Sequence, residues 1–256
     1  MICPLLAIET SGKSLGVALR TESGLAFEEN VQAGAVHGKS LAPLIRKALE
    51  SQRLKATQLG GIAVSLGPGS WTGLRIGLSA AKALAWGAGV PLIGVPSFDA
   101  LALDAARHAP NHARLVLRDA RSEGFFLALF SETSPHAERW ISESVLKVPA
   151  LLAEVESTLP RHGDVPLALC GDGVCLDALA GTAQQLGWTL LRGCEHISAA
   201  AVAECGWAKL VRGDVLRESA AIHALAPLYL RASDPELKLG RRVSVLVAET
   251  PDRIKP

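Results

Sequence analysis

The most informative stretch of the sequence is a glycine-rich string in the first third of the chain. It reads Ser65-Leu66-Gly67-Pro68-Gly69-Ser70-Trp71-Thr72-Gly73-Leu74-Arg75-Ile76-Gly77. The apolar residues at its start favour a buried strand, and the spacing from about Thr72 to Gly87 favours a helix. The string lacks the Lys-Ser/Thr ending of a P-loop, so it is not one. Two explanations stay open, a tight structural turn and an anion site at the helix start.

The helix that follows this string is apolar nearly all round. Its polar residues form one narrow stripe, Arg75, Ser79, Lys82 and Trp86, whereas a surface helix of a single domain needs only one apolar face. One explanation is a central helix that its own lobe covers. The other is a helix that packs both on its own sheet and on another protein, with small residues that allow close helix–helix contact.

Outward from the string, the same order of elements occurs twice. The first half is predicted to contain strands at Leu5–Glu9, Gly16–Arg20, Leu25–Val31, Gly61–Leu66 and Pro91–Val95, and helices over about His37–Gln52, about Thr72–Gly87 and from Ser97 toward Pro110. The second half repeats three strands and then alternating helices and strands. This repetition predicts an α/β fold of two ribonuclease-H-like lobes, the architecture of the actin-like ATPase superfamily. We expect lobes at residues 1–105 and 106–231, and a tail of unknown role at 232–256.

Composition and charge restrict the function. The chain has 256 residues, is 49% hydrophobic and has a formal net charge of +1, so it lacks the large positive field of proteins that bind tRNA tightly on their own. The basic residues Lys238, Arg241 and Arg242 are interpreted as a solvated tail. Five cysteines, no basic leader and no long apolar run predict free thiols and a cytoplasmic protein.

Several short segments together resemble one family, TsaB. They are Ile8-Glu9-Thr10, His37, the string at residues 67–77, Ile93-Gly94-Val95, Asp119-Ala120-Arg121 and Pro227-Leu228-Tyr229-Leu230-Arg231. The resemblance covers residues 5–231, and the string is highly specific for the family. Two differences are mild, since Glu9 replaces the usual Asp and Trp71 the usual Phe.

The resemblance implies an actin-like fold and a scaffold without catalytic activity of its own. It implies a role as obligate partner of the catalytic paralogue TsaD, in a complex with the ATPase TsaE. That complex forms N6-threonylcarbamoyladenosine beside the anticodon of tRNAs that read ANN codons. This chain is expected to meet tRNA only indirectly.

An enzymatic role is the alternative. In actin-like ATPases the turns after the first strand of each lobe bind phosphates, which makes Glu9, Lys13 and Asp119 weak nucleotide-binding candidates, although a carboxylate in a turn is also an ordinary turn-former. The resemblance places the metal-binding histidines of the paralogue at Ser97 and Leu101, which cannot hold iron or zinc. No metal or cofactor is therefore predicted, and no nucleophile–base pair is visible.

The leading hypothesis is a scaffold that pairs its first two long helices with those of TsaD. The predicted interface residues are Leu41, Ile45, Leu78 and Trp86, with Arg75 and Lys82 at its rim. The runner-up is an ATP-binding or ATP-hydrolysing enzyme of the same superfamily. A homodimer through the same helical face is a third alternative.

Overall fold

The computed structural model describes residues 3–32, 37–132 and 138–230. The first half forms β1 (Leu5–Glu9), β2 (Ser14–Thr21), β3 (Gly24–Gln32), α1 (His37–Ser51), β4 (Gly61–Ser65), α2 (Trp71–Ala88), β5 (Leu92–Val95) and α3 (Ser97–Ala106). The second half forms β6 (Ala113–Asp119), β7 (Phe125–Phe130), β8 (Arg139–Leu146), α4 (Val148–Thr158), β9 (Leu167–Gly171), α5 (Gly173–Leu186), β10 (Thr189–Leu190), α6 (Ala199–Arg212) and the short α7 (Ser219–Ala224).

These strands form two separate five-stranded sheets with the same topology. The first has the order β3-β2-β1-β4-β5 and the second the order β8-β7-β6-β9-β10. In both, the first strand pairs antiparallel with the second and parallel with the fourth. The predicted duplication into two mixed sheets is confirmed. The short α7 was not predicted, since six residues are too few to show a helical period.

The central strands alternate between two apolar layers. In β1, Leu5 and Ala7 belong to the core between the two sheets, whereas Leu6 and Ile8 belong to the core under α1 and α2. This alternation is the period of two expected of a strand that is covered on both faces. The second sheet has a third core under α4 and α5. Helices α3 and α6 therefore lie between the sheets, and two pairs of helices lie outside them.

Helix α6 comes from the second half of the sequence but packs on the first sheet, where it contacts β1, β2 and β4. Its N-terminus is held from the first half, because the Asp104 carboxylate accepts hydrogen bonds from both the N–H and the hydroxyl of Ser198, at 2.9 Å. The Glu28 carboxylate accepts from the N–H of Ala200 at 3.0 Å. Negative groups at a helix N-terminus satisfy unpaired N–H groups and the helix dipole, so these contacts join the two halves.

Helix α2 begins directly against the turn between β1 and β2. Three glycines spaced by four residues, Gly69, Gly73 and Gly77, face this turn, and a Cβ atom on any of them would overlap Thr10 or Ser11. The N–H of Ser70 donates to the Ser11 carbonyl at 2.7 Å. The glycines therefore allow the helix backbone to approach the turn more closely than other residues would.

This packing predicts opposite effects for two glycine-to-alanine changes in the same helix. Gly73→Ala should lower the free energy of unfolding by about 3 kcal/mol, because the new methyl group meets backbone that cannot move independently. Gly87→Ala is the matched control, since its Cβ would meet nothing within 4 Å, and it should stabilise by up to about 1 kcal/mol through helix propensity. Urea unfolding of both variants tests the pair, and equal effects would contradict the close approach.

Candidate functional site

The turns after β1 and β6 face each other across the cleft between the lobes. Arg118, near the end of β6, is 5% exposed. Its Nη1 donates to the Ser11 carbonyl at 2.8 Å, and its Nη2 lies 3.3 Å from where a Cβ of Gly12 would be. A side chain of the second lobe thus fills the space next to the first turn, which is where an actin-like fold would hold a phosphate.

The carboxylate of Glu9 occupies the donors of this first turn. Glu9 is 1% exposed, and its Oε1 accepts hydrogen bonds from the N–H and the hydroxyl of Ser11, both at 2.6 Å. Burial raises the pKa of Glu9, and the positive charge of Arg118 and the donors of Ser11 oppose this rise. An internal carboxyl group therefore uses the same N–H and hydroxyl groups that a ligand anion would need.

The second turn is closed in the same way. The Asp119 carboxylate accepts from the N–H of Arg121 at 2.7 Å, and the Asp172 carboxylate accepts from the N–H of Asp119 at 3.0 Å. Lys13 is exposed on the first turn. The three predicted nucleotide-binding residues thus lie on the two turns of the cleft, but the two carboxylates are used within the chain.

The glycine-rich string serves local packing. Ser70 is the N-cap of α2 and accepts from the N–H of Gly73 at 3.2 Å. Gly67 has a φ of 100° and precedes Pro68 through a cis peptide bond. Its N–H donates to the Ser97 hydroxyl at 3.0 Å. Because the helix start meets the β1–β2 turn, these contacts favour the structural explanation of the string over an anion site.

The last residues that the structure describes pack against the start of α2. The N–H of Leu228 donates to the Leu66 carbonyl at 2.7 Å, and Tyr229 stacks on Trp71 with ring centroids 3.8 Å apart. Arg75 lies over the Trp71 ring at 4.5 Å and donates from Nε to the Tyr229 hydroxyl at 3.0 Å. These contacts join the glycine-rich string to the Pro227–Leu230 segment. Local sequence patterns do not show this relation.

A groove of about 590 Å³ opens between α1, α2 and the turn that follows α1. Most of its surface is apolar. The lining residues are Ala42, Ile45, Arg46, Leu49, Glu50, Leu54, Lys55, Ala56, Ala80, Ala83 and Leu84. Among these, Ala42 and Ala83 are exposed, while Ile45, Leu49 and Leu84 are half-buried. Alanines on neighbouring helices leave room for a further helix to approach closely.

The structure corrects the predicted interface for two residues. Leu41 and Leu78 are only 3% and 5% exposed and pack in the chain's own core, because α1 and α2 turn these positions toward the first sheet. Ile45 lines the groove, and Trp86 is 73% exposed. Lys82 donates from Nζ to the His223 carbonyl at 2.6 Å, and Arg75 is committed to Tyr229. These two cations are therefore engaged within the chain.

Sequence reasoning missed most of the groove. On α2, the sequence pattern draws attention to the polar stripe. The groove is lined instead by small and apolar residues of that helix, Ala80, Ala83 and Leu84. Their signal was present in the apolar surplus of the helix, but periodicity alone cannot say which side of an all-round apolar helix its own sheet covers.

Ser97 and Leu101, where the resemblance would place histidines of the paralogue, take part in the chain's own packing. Ser97 accepts from Gly67, and Leu101 is fully buried in the core between the sheets. Within the described ranges, no group of three or more His, Cys, Asp or Glu residues is arranged to hold a metal ion. None of the helices in that part of the chain combines the length and apolar character needed to span a membrane.

Two matching lobes, each with a mixed sheet in the order 3-2-1-4-5 and helices on both faces, define the duplicated ribonuclease-H-like class with an actin-like arrangement. A family model described as TsaD, tRNA N6-adenosine threonylcarbamoyltransferase, matches residues 31–236. The chain belongs to this family.

Within the family, the chain is similar over nearly its whole length to a protein named TsaB. It is 28% identical over 234 residues to the tRNA threonylcarbamoyladenosine biosynthesis protein TsaB of Bacillus subtilis, covering 91% of this chain and 96% of that protein. The protein of the same name from Escherichia coli is 31% identical over 146 residues, covering 56% of this chain and 62% of that one.

Solved structures confirm the fold. A Pseudomonas aeruginosa protein described as similar to peptidase YEAZ has a TM-score of 0.70 at 22% identity, covering 90% of this chain and all 100% of that one. A structure described as YeaZ from the same organism gives 0.69 at 21% identity, covering 89% and 100%.

The closed first turn predicts a specific cost for removing its carboxylate. Glu9→Ala should lower the free energy of unfolding by about 2–4 kcal/mol, because the buried Arg118 loses its opposite charge and the donors of Ser11 lose their acceptor. Glu9→Gln, which keeps an acceptor oxygen, should cost less. Thermal unfolding with and without added formate measures both effects. The anion should restore part of the stability of Glu9→Ala alone, and a Glu9→Ala protein as stable as wild type would contradict this role.

Proposed function

We propose that this chain is a non-catalytic scaffold subunit that binds a TsaD-type transferase and activates it in forming N6-threonylcarbamoyladenosine beside the tRNA anticodon. The observation that carries the proposal is the open apolar groove between α1 and α2. Membership of the TsaD family and the full-length likeness to TsaB supply the reaction to which the scaffold contributes.

The groove has the chemistry of a permanent protein interface. Its lining is mostly apolar and includes Ile45, Leu49, Ala80, Ala83 and Leu84, and its charged lining residues are Arg46, Glu50 and Lys55. Interfaces of obligate complexes are apolar at the centre and admit charge at the edge. A partner of the same fold would present its own pair of helices, so two helices from each subunit would form a four-helix arrangement.

The cleft supports a scaffold over an ATP-dependent enzyme. Donors of both turns are bound to the carboxylates of Glu9, Asp119 and Asp172. A nucleotide phosphate that used these donors would have to displace the carboxyl groups that occupy them. Ser97 and Leu101, where the resemblance places the paralogue's histidines, also favour a scaffold, since neither side chain can bind iron or zinc.

Further parts of the proposal follow from the complex. The TsaE-type ATPase joins through the transferase complex, tRNA meets this chain only through that assembly, and the complex acts in the cytoplasm. The lobe at residues 1–105 carries both docking helices, and residues 106–231 form the other lobe. When the transferase is absent, a second copy of the chain could cover the same apolar groove.

A charge in the groove should abolish transferase binding without unfolding the chain. Ala83→Glu is the variant of choice, because Ala83 is exposed, whereas Ala81 and Ala85 are 0% and 1% exposed and would test the core instead. Burying an unpaired carboxylate under the partner should cost about 3 kcal/mol or more, which is over a hundredfold in Kd. Co-purification with the transferase of the same genome, followed by calorimetric titration, measures the loss.

Ala178→Glu on α5 is the matched control, since Ala178 is an exposed helical alanine of the other lobe. It should bind the transferase like the wild type, and circular dichroism should show both variants folded. Normal binding by Ala83→Glu would place the interface elsewhere. A folded wild-type chain that fails to bind the transferase would remove the proposed function.

The purified chain alone should neither hydrolyse ATP nor retain metal. Within the described residues, the turn donors named above bind carboxylates of the chain, and no group of three or more His, Cys, Asp or Glu residues is arranged to hold a metal ion. Phosphate release and elemental analysis are the two measurements. Turnover that Asp119→Asn removes, or about one tightly held metal ion per chain, would favour the enzymatic alternative.

A further inference from the structure

The exposed face of α1 and of the turn after it concentrates positive charge. Residues 37–55 contain five cations, Lys39, Arg46, Lys47, Arg53 and Lys55, and one anion, Glu50. This segment is therefore +4 within a chain of net charge +1, which leaves the rest of the chain at −3. An ordinary solvated helix face carries both positive and negative side chains. The excess of positive charge in this segment is therefore unusual.

Most of these cations have no carboxylate to neutralise them. Lys47 pairs with Glu29, and Arg46 reaches Glu50 only at 4.0 Å, with both side chains more than 70% exposed. Within the described residues, no carboxylate forms an ion pair with Lys39 or Arg53. The face, which we call the basic stripe (Lys39, Arg46, Arg53 and Lys55), thus carries free charge into solvent.

The backbone at Arg53 is a second, independent observation. Arg53 has a φ of 52°, in the left-handed region. It ends α1 in a Schellman motif, because its N–H donates to the Glu50 carbonyl at 3.0 Å and the N–H of Leu54 donates to the Leu49 carbonyl at 2.9 Å. Glycine is the usual residue at this position, since other residues are strained there. The chain keeps an exposed arginine at a place where glycine would fold more easily.

We propose that the basic stripe binds the phosphate backbone of RNA while the neighbouring groove holds the transferase. This inference rests on the proposed function, because the bound enzyme is what brings RNA to this surface. Arg46 and Lys55 are among the residues that line the groove, so the stripe is continuous with the proposed docking surface. Three or four cations are too few for tight binding alone, but they add to the contacts that the complex makes.

An acidic protein surface is the other polyanion that could meet this stripe, and RNA fits better. Lysine is depleted in protein–protein interfaces, whereas nucleic-acid interfaces are strongly positive. Lys39 and Arg53 also lie outside the groove, beyond the residues that line it, where a transferase seated in the groove leaves side chains free for a third component.

The test uses the complex of this chain with its transferase and an unmodified tRNA transcript, titrated at several salt concentrations between about 0.05 and 0.3 M. Each lost phosphate contact lowers the slope of log K against log salt by about 0.7–0.9. The double variant Lys39→Glu/Arg53→Glu should therefore flatten the slope by about 1.5 and weaken tRNA binding on the order of a hundredfold at the lowest salt. Transferase binding, measured separately, should stay within about twofold of wild type.

Arg53→Gly separates function from stability in a single position. Relief of the left-handed strain should raise Tm by about 2 °C, while tRNA binding weakens on the order of tenfold. Arg212→Glu is the matched control for tRNA binding, since Arg212 is an exposed arginine at the end of α6, and it should leave tRNA binding unchanged.

Three outcomes would overturn the inference. If transferase binding is intact and the salt slope is unchanged in the double variant, the stripe is solvated surface. If the double variant loses the transferase in a salt-dependent way, the stripe contacts an acidic protein surface. If the wild-type chain does not bind the transferase, both the proposed function and this inference are wrong. The separate transferase titration identifies that result.

Discussion

The first turn of the chain is held from three directions, and the rest of the structure depends on this arrangement. The glycines of α2 press on the turn from one side, and Arg118 of the other lobe reaches its Ser11 carbonyl. Glu9 binds the turn from within. Since the same contacts set the position of α2, they also set the wall of the groove beside it. The turn therefore positions the groove that we propose as the docking surface.

The fold could be predicted from the sequence largely because strands and helices recur in the same order in both halves. The short apolar run of β1 and the glycine-rich turn before α2 are local signals, and the sequence predicts both elements from them. The groove could not be placed in this way. Helix α2 is apolar on nearly every side, so its pattern does not say which alanines the sheet covers and which stay open; burial of Leu78 and exposure of Ala83 depend on tertiary packing. The contact between Arg75 and Tyr229 could not be predicted either, because these two residues are 154 positions apart in the sequence.

The cleft and the groove differ in how the chain's own side chains occupy them. In the cleft, carboxylates of the chain accept hydrogen bonds from N–H groups of both turns, and Arg118 joins the two lobes there. In the groove, small apolar side chains leave the two helices uncovered. In the proposed complex a second helical pair would cover this apolar surface, and stability and assembly would then be linked.

Helix α6 has a consequence for how the chain is made. It covers the inner face of the first sheet, although it is encoded after all ten strands, and the clasp of Tyr229 on Trp71 comes later still. Domains usually fold in order as they emerge from the ribosome. Here the first lobe lacks one of its layers until almost the entire chain has been synthesised, so the nascent first sheet exposes one apolar face throughout translation of the second. Residues 199–230 are therefore the segment that completes both halves together.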